Sequence, residues 1–212
     1  KFEKSIECLN KILKIDPDYQ RVLGKITHCE NIICNWKDYF FKVEKIKKKI
    51  LDNKNCITPW EILSIIDLEE VQLRGAQNWI LNNFPRYNNF KNFNLSKQNK
   101  KIKIGYFSAD FFKHAVSYQI AEMIELHDRS KFEIIAFSLI HKEDEMQIRL
   151  KNAFDKFINI QDESTDDILK LCREINLDIA IDLSGFTLNN RFEIFEKRCA
   201  PIQISYLGYS AT

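Results

Sequence analysis

Glycine and proline are scarce in this chain, 5 and 4 residues among 212. The few glycines assemble no phosphate-cradling loop: no G-x-G-x-x-G follows the first apolar run, and neither G-x-x-x-x-G-K-[ST] nor G-x-S-x-G occurs. A standard dinucleotide pocket, a P-loop nucleotidase and an α/β-hydrolase therefore fall away. Paired cysteines are missing as well. Cys8, Cys29, Cys34, Cys56, Cys172 and Cys199 form no Cys-x-x-Cys pair and meet no His-x-x-x-His. No zinc site or other metal is expected, and reduced, mostly buried thiols of a cytoplasmic protein are the better reading. No apolar stretch approaches the roughly 20 residues of a membrane span, and no signal-type leader is present, so a membrane is not an expected partner. Neither sign of charge dominates, with 32 basic against 30 acidic residues. Nothing global argues for a nucleic-acid partner.

What is there is enough apolar material, 45% of the residues, for one large domain or two small ones. The first hundred residues are net basic and the remainder net acidic, which suggests a boundary. In "FEKSIECLNKILKI", Phe2, Ile6, Leu9, Ile12 and Leu13 recur at helical spacing, and Asp16-Pro17 ends the pattern. Such a helix ending in "DPDY" fits the second helix of a tetratricopeptide repeat and fits an ordinary surface helix equally well. Two further helices are expected in 21–52, hinged near Asn35-Trp36. In the second, Tyr39, Val43, Ile46 and Ile50 line one face, and Lys42, Lys45, Lys47, Lys48 and Lys49 crowd the other. A lysine run can hold phosphate, but beside so clean an apolar stripe a solvated face is the favoured reading. Thr58, Pro59 and Glu61 have the spacing of an N-cap, a first-turn proline and its capping partner, opening a helix that runs to Phe84 with a joint at Asp67. The polar, Asn-rich stretch 85–100 reads as a linker or loop.

After residue 100 the pattern changes. Short apolar runs at 102–107, 132–139, 154–160, 177–183 and 202–207 alternate with helical patterns at 116–127, 145–153, 165–175 and 190–197. Strands alternating with helices of this length predict right-handed β-α-β units and a five-stranded, doubly wound parallel sheet. Ligands of such a sheet bind outside the carboxyl ends of its strands. That rule puts the loops 108–115, 184–191 and 208–212 on one rim, and with them Asp110, His114, Gly185, Thr187, Asn189, Asn190, Arg191, Gly208, Tyr209 and Ser210.

Three blocks, "ICNWKDYFFKVEKI", "KIKIGYFSADFFKHAVSYQIAEMIELHDRSKFEIIAFSL" and "LDIAIDLSGFTLNNRFEIFEKRCAPIQISYLGYSAT", together resemble the catalytic region of protein O-linked N-acetylglucosamine transferases, including the SPINDLY relatives and bacterial homologues. The resemblance covers roughly residues 25–212. It implies a GT-B glycosyltransferase of two Rossmann-like lobes facing a cleft. On this reading residues 1–20 end a tetratricopeptide region, 21–100 form a helical linker and polar loop, and 101–212 form most of the N-terminal catalytic lobe. The C-terminal lobe, with the lysine expected to neutralise the leaving diphosphate, lies beyond this sequence, so the piece alone is not expected to turn over a UDP-sugar.

The implied reaction is inverting transfer of N-acetylglucosamine from UDP-N-acetylglucosamine to Ser or Thr hydroxyls of a protein or peptide acceptor, with no cofactor other than the sugar donor. His114 matches the histidine of the family motif Asp-Phe-x-x-His and is assigned a sugar-positioning or proton-handling role. Asp110 matches its aspartate, with an orienting or base role. Leu207 and Gly208 match the pair lining the sugar pocket, and Gly185, Thr187, Asn190 and Arg191 match a second substrate-binding loop. Trp60 stands where animal members carry a histidine after the proline of the linker helix. Each residue also has a plainer reading: a helix-capping histidine, a strand-end turn at Gly208, and a pairing of Arg191 with Glu193 or Asp182. Two other functions are open, a non-catalytic peptide-binding scaffold and a GT-B transferase with another donor, such as GDP-fucose, or a non-protein acceptor.

Overall fold

The structure, a computed structural model, describes residues 1–84, 93 and 100–209. The chain divides into compact units spanning 1–85 and 86–211. Most of the polar stretch 85–100, and the end of the chain from Ser210, lie outside the described residues.

The first unit is helical among its described residues: α1 (Phe2–Ile15), α2 (Val22–Ile32), α3 (Tyr39–Leu51), α4 (Pro59–Leu63) and α5 (Glu69–Asn83). Its core joins Leu23 of α2 and Val43, Ile46 and Ile50 of α3 to Ile57, Ile62, Ile66 and Val71. The stripe on α3 is thus the buried one, with Tyr39 packed at its edge. On the opposite face Lys42 pairs with Glu30 at 2.6 Å, Lys47 with Glu44 at 2.6 Å, and Lys49 with Asp18. These lysines answer local carboxylates, as a solvated helix face does. Thr58 and Glu61 close a reciprocal capping box with Pro59 in the first turn of α4, an arrangement worth about 1 kcal/mol. Ser64 ends α4, and α5 starts afresh at Glu69, so the expected joint near Asp67 is a real break. By contrast, α1 buries none of its residues completely.

The second unit is built on β1 (Ile102–Ser108), β2 (Phe132–Ser138), β3 (Lys156–Asn159), β4 (Ile179–Asp182) and β5 (Ile202–Ser205). Between them run α6 (Ala115–Glu125), α7 (Glu145–Ala153), α8 (Thr165–Ile175) and α9 (Phe192–Glu196). All neighbouring strands are parallel, in the order β3-β2-β1-β4-β5. Side-chain alternation along β1 and β2 sorts the core into two layers. Ile104, Tyr106, Ile134 and Ala136 pack with α6 and α7 on one face. Phe107, Ile135 and Phe137 pack with α8 and α9 on the other. This is the doubly wound α/β architecture.

β2 to β5 are shorter than the apolar runs suggest, and β1 is one residue longer. Phe154 and Ile160 flank β3 and are buried in the core, though the Ile160 N–H still donates to the Ser138 carbonyl of β2 at 2.9 Å. The last helix begins at Phe192, because Arg191, its N-cap, is not helical. Strand order reverses between β1 and β4, whose successors leave on opposite faces, and that split opens a crevice at their carboxyl ends. All six cysteines are free, and Cys29, Cys56, Cys172 and Cys199 are buried. Among the described residues no helix is long and apolar enough to cross a membrane.

Candidate active site

The loop leaving β1 is pinned from within. Phe111 is fully buried in the α6/α7 layer, in edge contact with Phe154 and Phe157. Gln147 of α7 donates to the Phe111 carbonyl at 3.2 Å. The residue before this plug, Asp110, is fixed by its backbone: its N–H donates to Ser108 Oγ at 3.0 Å, and its carbonyl accepts from Ser117 Oγ at 2.6 Å. Three residues after the plug, His114 is the N-cap of α6, its Nδ1 accepting from the Val116 N–H at 3.3 Å. Lys113 N–H donates to Asp144 Oδ2 at 2.7 Å and fastens the outer side of the loop.

Asp110 Oδ2 and His114 Nδ1 come within 3.7 Å, with side chains 16% and 43% exposed. Burial pushes the Asp110 carboxyl above its ordinary range, and the imidazole only partly offsets this. The tautomer follows from the cap. A ring whose Nδ1 accepts a backbone N–H carries its own proton on Nε2 when neutral. The exposed end of His114 is therefore a donor, beside a carboxylate that is reluctant to ionise.

The loop after β4 is organised by Asp182. Its Oδ1 accepts from Ser184 N–H at 2.9 Å and its Oδ2 from Gly185 N–H at 3.1 Å. Thr187 Oγ1 donates to the Ser184 carbonyl at 2.9 Å, and Asn190 Nδ2 to the Thr187 carbonyl at 2.6 Å. Both side chains are thus turned onto the loop's own backbone. A parallel bridge joins Gly185 to Tyr209, and Phe186 N–H donates to the Tyr209 carbonyl at 2.7 Å. Ala109 N–H reaches Ser184 Oγ at 3.5 Å. The loops of β1, β4 and β5 consequently meet, bringing Asp110, Gly185, Leu207 and Gly208 to one rim.

Leu207 and Gly208 both have left-handed backbone, φ 62° and 59°. A β-carbon on Gly208 would stand 2.4 Å from the Ser184 carbonyl oxygen, so only glycine fits this approach.

One candidate of this unit turns away from that meeting point. Arg191 turns toward the start of α8, donating to the Glu163 carbonyl and Thr165 Oγ1, both at 2.9 Å, and lying 3.3 Å from Glu193. Its guanidinium braces α8 to α9. Trp60 belongs to α4 in the first unit, 54% exposed. A hollow of about 470 Å³ lined by Lys100, Lys101, Lys103, Glu133 and Asp155 opens at the amino ends of the strands. It lies far from the rim and carries both charge signs, with Lys103 Nζ donating to the Ile175 carbonyl at 2.7 Å. Phe111, Asp182 and Ser184 were not singled out as site residues from the sequence. The available signal was a carboxylate at a strand's carboxyl end followed by small residues, "IDLSG".

Residues 79–212 match glycosyl transferase family 41. Among curated proteins, the chain is 32% identical over 114 residues to the probable UDP-N-acetylglucosamine–peptide N-acetylglucosaminyltransferase SEC of Arabidopsis thaliana, an overlap of 53% of this chain and 12% of that protein. It is 33% identical over 132 residues to the SPINDLY protein of the same plant, covering 60% of this chain and 14% of the relative. A longer overlap, 208 residues at 26% identity, links 85% of the chain to 17% of the Caenorhabditis elegans UDP-N-acetylglucosamine–peptide N-acetylglucosaminyltransferase. The chain thus spans a small part of the curated relatives it matches. Among solved structures, an O-GlcNAc transferase mutant of Thermobaculum terrenum shares the fold, with a TM-score of 0.64 at 21% identity over 99% of this chain and 34% of that one.

Proposed function

The chain belongs to glycosyl transferase family 41, and from that premise we propose that it is part of a cytoplasmic, inverting protein O-N-acetylglucosaminyltransferase. The donor in this reading is UDP-N-acetylglucosamine, and the acceptor is a Ser or Thr hydroxyl of a polypeptide. The observation that carries it is the Asp110–His114 pair, held at the carboxyl-end rim by a buried phenylalanine and met there by the loops of β4 and β5.

An inverting displacement needs the hydroxyl oxygen to attack the anomeric carbon as the bond to the diphosphate breaks, with the hydroxyl proton passing to a base. The two side chains divide these tasks. His114, capping through Nδ1, offers Nε2–H to an oxygen of the donor and positions the sugar. Asp110, its affinity for a proton raised by burial, takes the hydroxyl proton while His114 Nδ1 is engaged with Val116. Gly208 lets the β5 loop pack against the Ser184 backbone, which sets the edge of the rim against which the sugar would sit. The reaction as proposed uses no resident cofactor or metal. Residues 1–20, read as the end of a repeat array, and 21–100, read as a linker, would present the acceptor to the catalytic region that begins at 101, where repeats offer an extended surface.

The test is peptide glycosylation and donor hydrolysis by the full-length protein containing this chain. Transfer from UDP-N-acetylglucosamine supports the reading. Transfer from GDP-fucose alone would change the donor, and peptide binding without turnover of any sugar nucleotide would establish the scaffold function instead.

A further inference from the structure

The sequence singled out Asp182 only as one possible partner of Arg191, and Arg191 is engaged elsewhere. We propose that Asp182 is a positioning residue of the rim, whose carboxylate holds the turn 183–187 in the shape that seats the β5 loop and the Asp110 loop against it. The proposal rests on the transferase reading above.

The geometry is that of a hub. Each carboxylate oxygen takes one backbone N–H, from Ser184 at 2.9 Å and Gly185 at 3.1 Å. These are the donors that the ending β4 ladder would otherwise leave unpaired. Ser184, once placed, distributes the position to both neighbours. Its carbonyl accepts from Tyr209 N–H at 3.3 Å, and the missing side chain of Gly208 is what lets that carbonyl come so near. Its hydroxyl oxygen accepts from Ala109 N–H, the residue before Asp110. A shift of Ser184 therefore moves the backbone of the β5 loop and the loop carrying Asp110 together.

Two further features separate this aspartate from an ordinary turn anchor. Among the described residues no cation forms an ion pair with it, Arg191 being engaged with Glu193 and the start of α8. Burial pushes its carboxyl above the ordinary range despite the two backbone donors. A half-buried carboxylate without a counter-charge is still a costly way to hold a turn. What it supplies that an amide cannot is a second acceptor: Asn offers one oxygen and sets an NH2 group against the other backbone N–H. Asp182→Asn thus breaks one of the two anchors at constant volume.

The experiment uses the full-length protein and its Asp182→Asn variant, with amide hydrogen exchange, melting and steady-state transfer measured together. The expected result is exchange at least tenfold faster in 183–187 and 206–209, with β1 unchanged. The turnover number should fall by roughly ten- to a hundredfold while the donor KM stays within about threefold, since a displacement near 1 Å is felt mainly in the transition state. Unchanged exchange in those loops, or a turnover number within twofold of wild type, overturns the proposal. If the variant fails to fold, the wild type decides. Native-state exchange of the wild type should open 183–187 and 206–209 together, at one common free energy below that of β1, and independent opening of the two loops overturns the proposal. A wild type inactive with every sugar nucleotide ends the transferase reading and Asp182's role in transfer, while faster loop exchange would still mark it as the anchor of the turn.

Discussion

His114 Nδ1 lies 3.7 Å from Asp110 Oδ2 and 3.3 Å from the Val116 amide nitrogen, and in the neutral ring it accepts from the latter. Nδ1 thus caps a helix, and Nε2 is left for the donor sugar in the proposed reaction. The two jobs separate by substitution. His114→Ala removes both and is expected to destabilise the fold by about 1 kcal/mol, the usual worth of a cap. It should also lower transfer about a hundredfold or more. His114→Asn restores a capping oxygen, so its melting temperature should return close to wild type while transfer stays lost. Recovery of activity with Asn would reduce His114 to a cap.

Asp110 gives a prediction with a fixed sign. Its carboxyl is raised above the unfolded value by burial, so the folded state holds its proton more tightly. The stability this contributes is present below the unfolded value of about 3.9 and is lost as pH rises through the raised one. At pH 7 the ionised carboxylate is a burden on the fold. Asp110→Asn should therefore melt higher than wild type at pH 7, with the difference closing as pH falls toward 4, and should lose transfer. A variant less stable at pH 7 would contradict the burial argument.

Gly208→Ala puts a β-carbon against a backbone oxygen and asks alanine for φ 59°. Strain of about 1–3 kcal/mol is expected, relieved only by moving the β5 loop away from Ser184. Melting temperature and transfer should fall together, and a structure of the variant should show the Tyr209 N–H to Ser184 carbonyl bond lengthened.

Arg191→Lys tests a brace. Lysine cannot reproduce a planar fork that reaches the Glu163 carbonyl and Thr165 Oγ1 at once. We expect a loss of about 1–2 kcal/mol and only as much activity loss as the destabilisation explains, with donor affinity in the folded fraction unchanged. A selective rise in donor KM would return Arg191 to the substrate.

The strand and helix order of the second unit was legible because each element declares its own period: "KIKIGYF" and "FEIIAFS" run as buried strands, and three of the four intervening helices open on a side-chain cap, His114, Asp144 and Ser164. The same holds for α3, whose stripe and lysine face follow from spacing of 3.6 residues, and for the capping box at Thr58. Element edges were less legible, because Phe154 and Ile160 are apolar for the core rather than for the ladder, and a linear pattern does not distinguish those uses.

At the site, the sequence determined which residue types stand at which strand ends: Asp110, His114, Gly185 and Gly208 fall on the rim by the carboxyl-end rule alone. Only the tertiary structure decided how they act. That Arg191 faces α8 and that Ser184 joins the loops of β1 and β5 depend on contacts between segments up to 75 residues apart. Local periodicity carries burial and direction along one element; it holds no record of which backbone N–H a serine hydroxyl on another loop will meet.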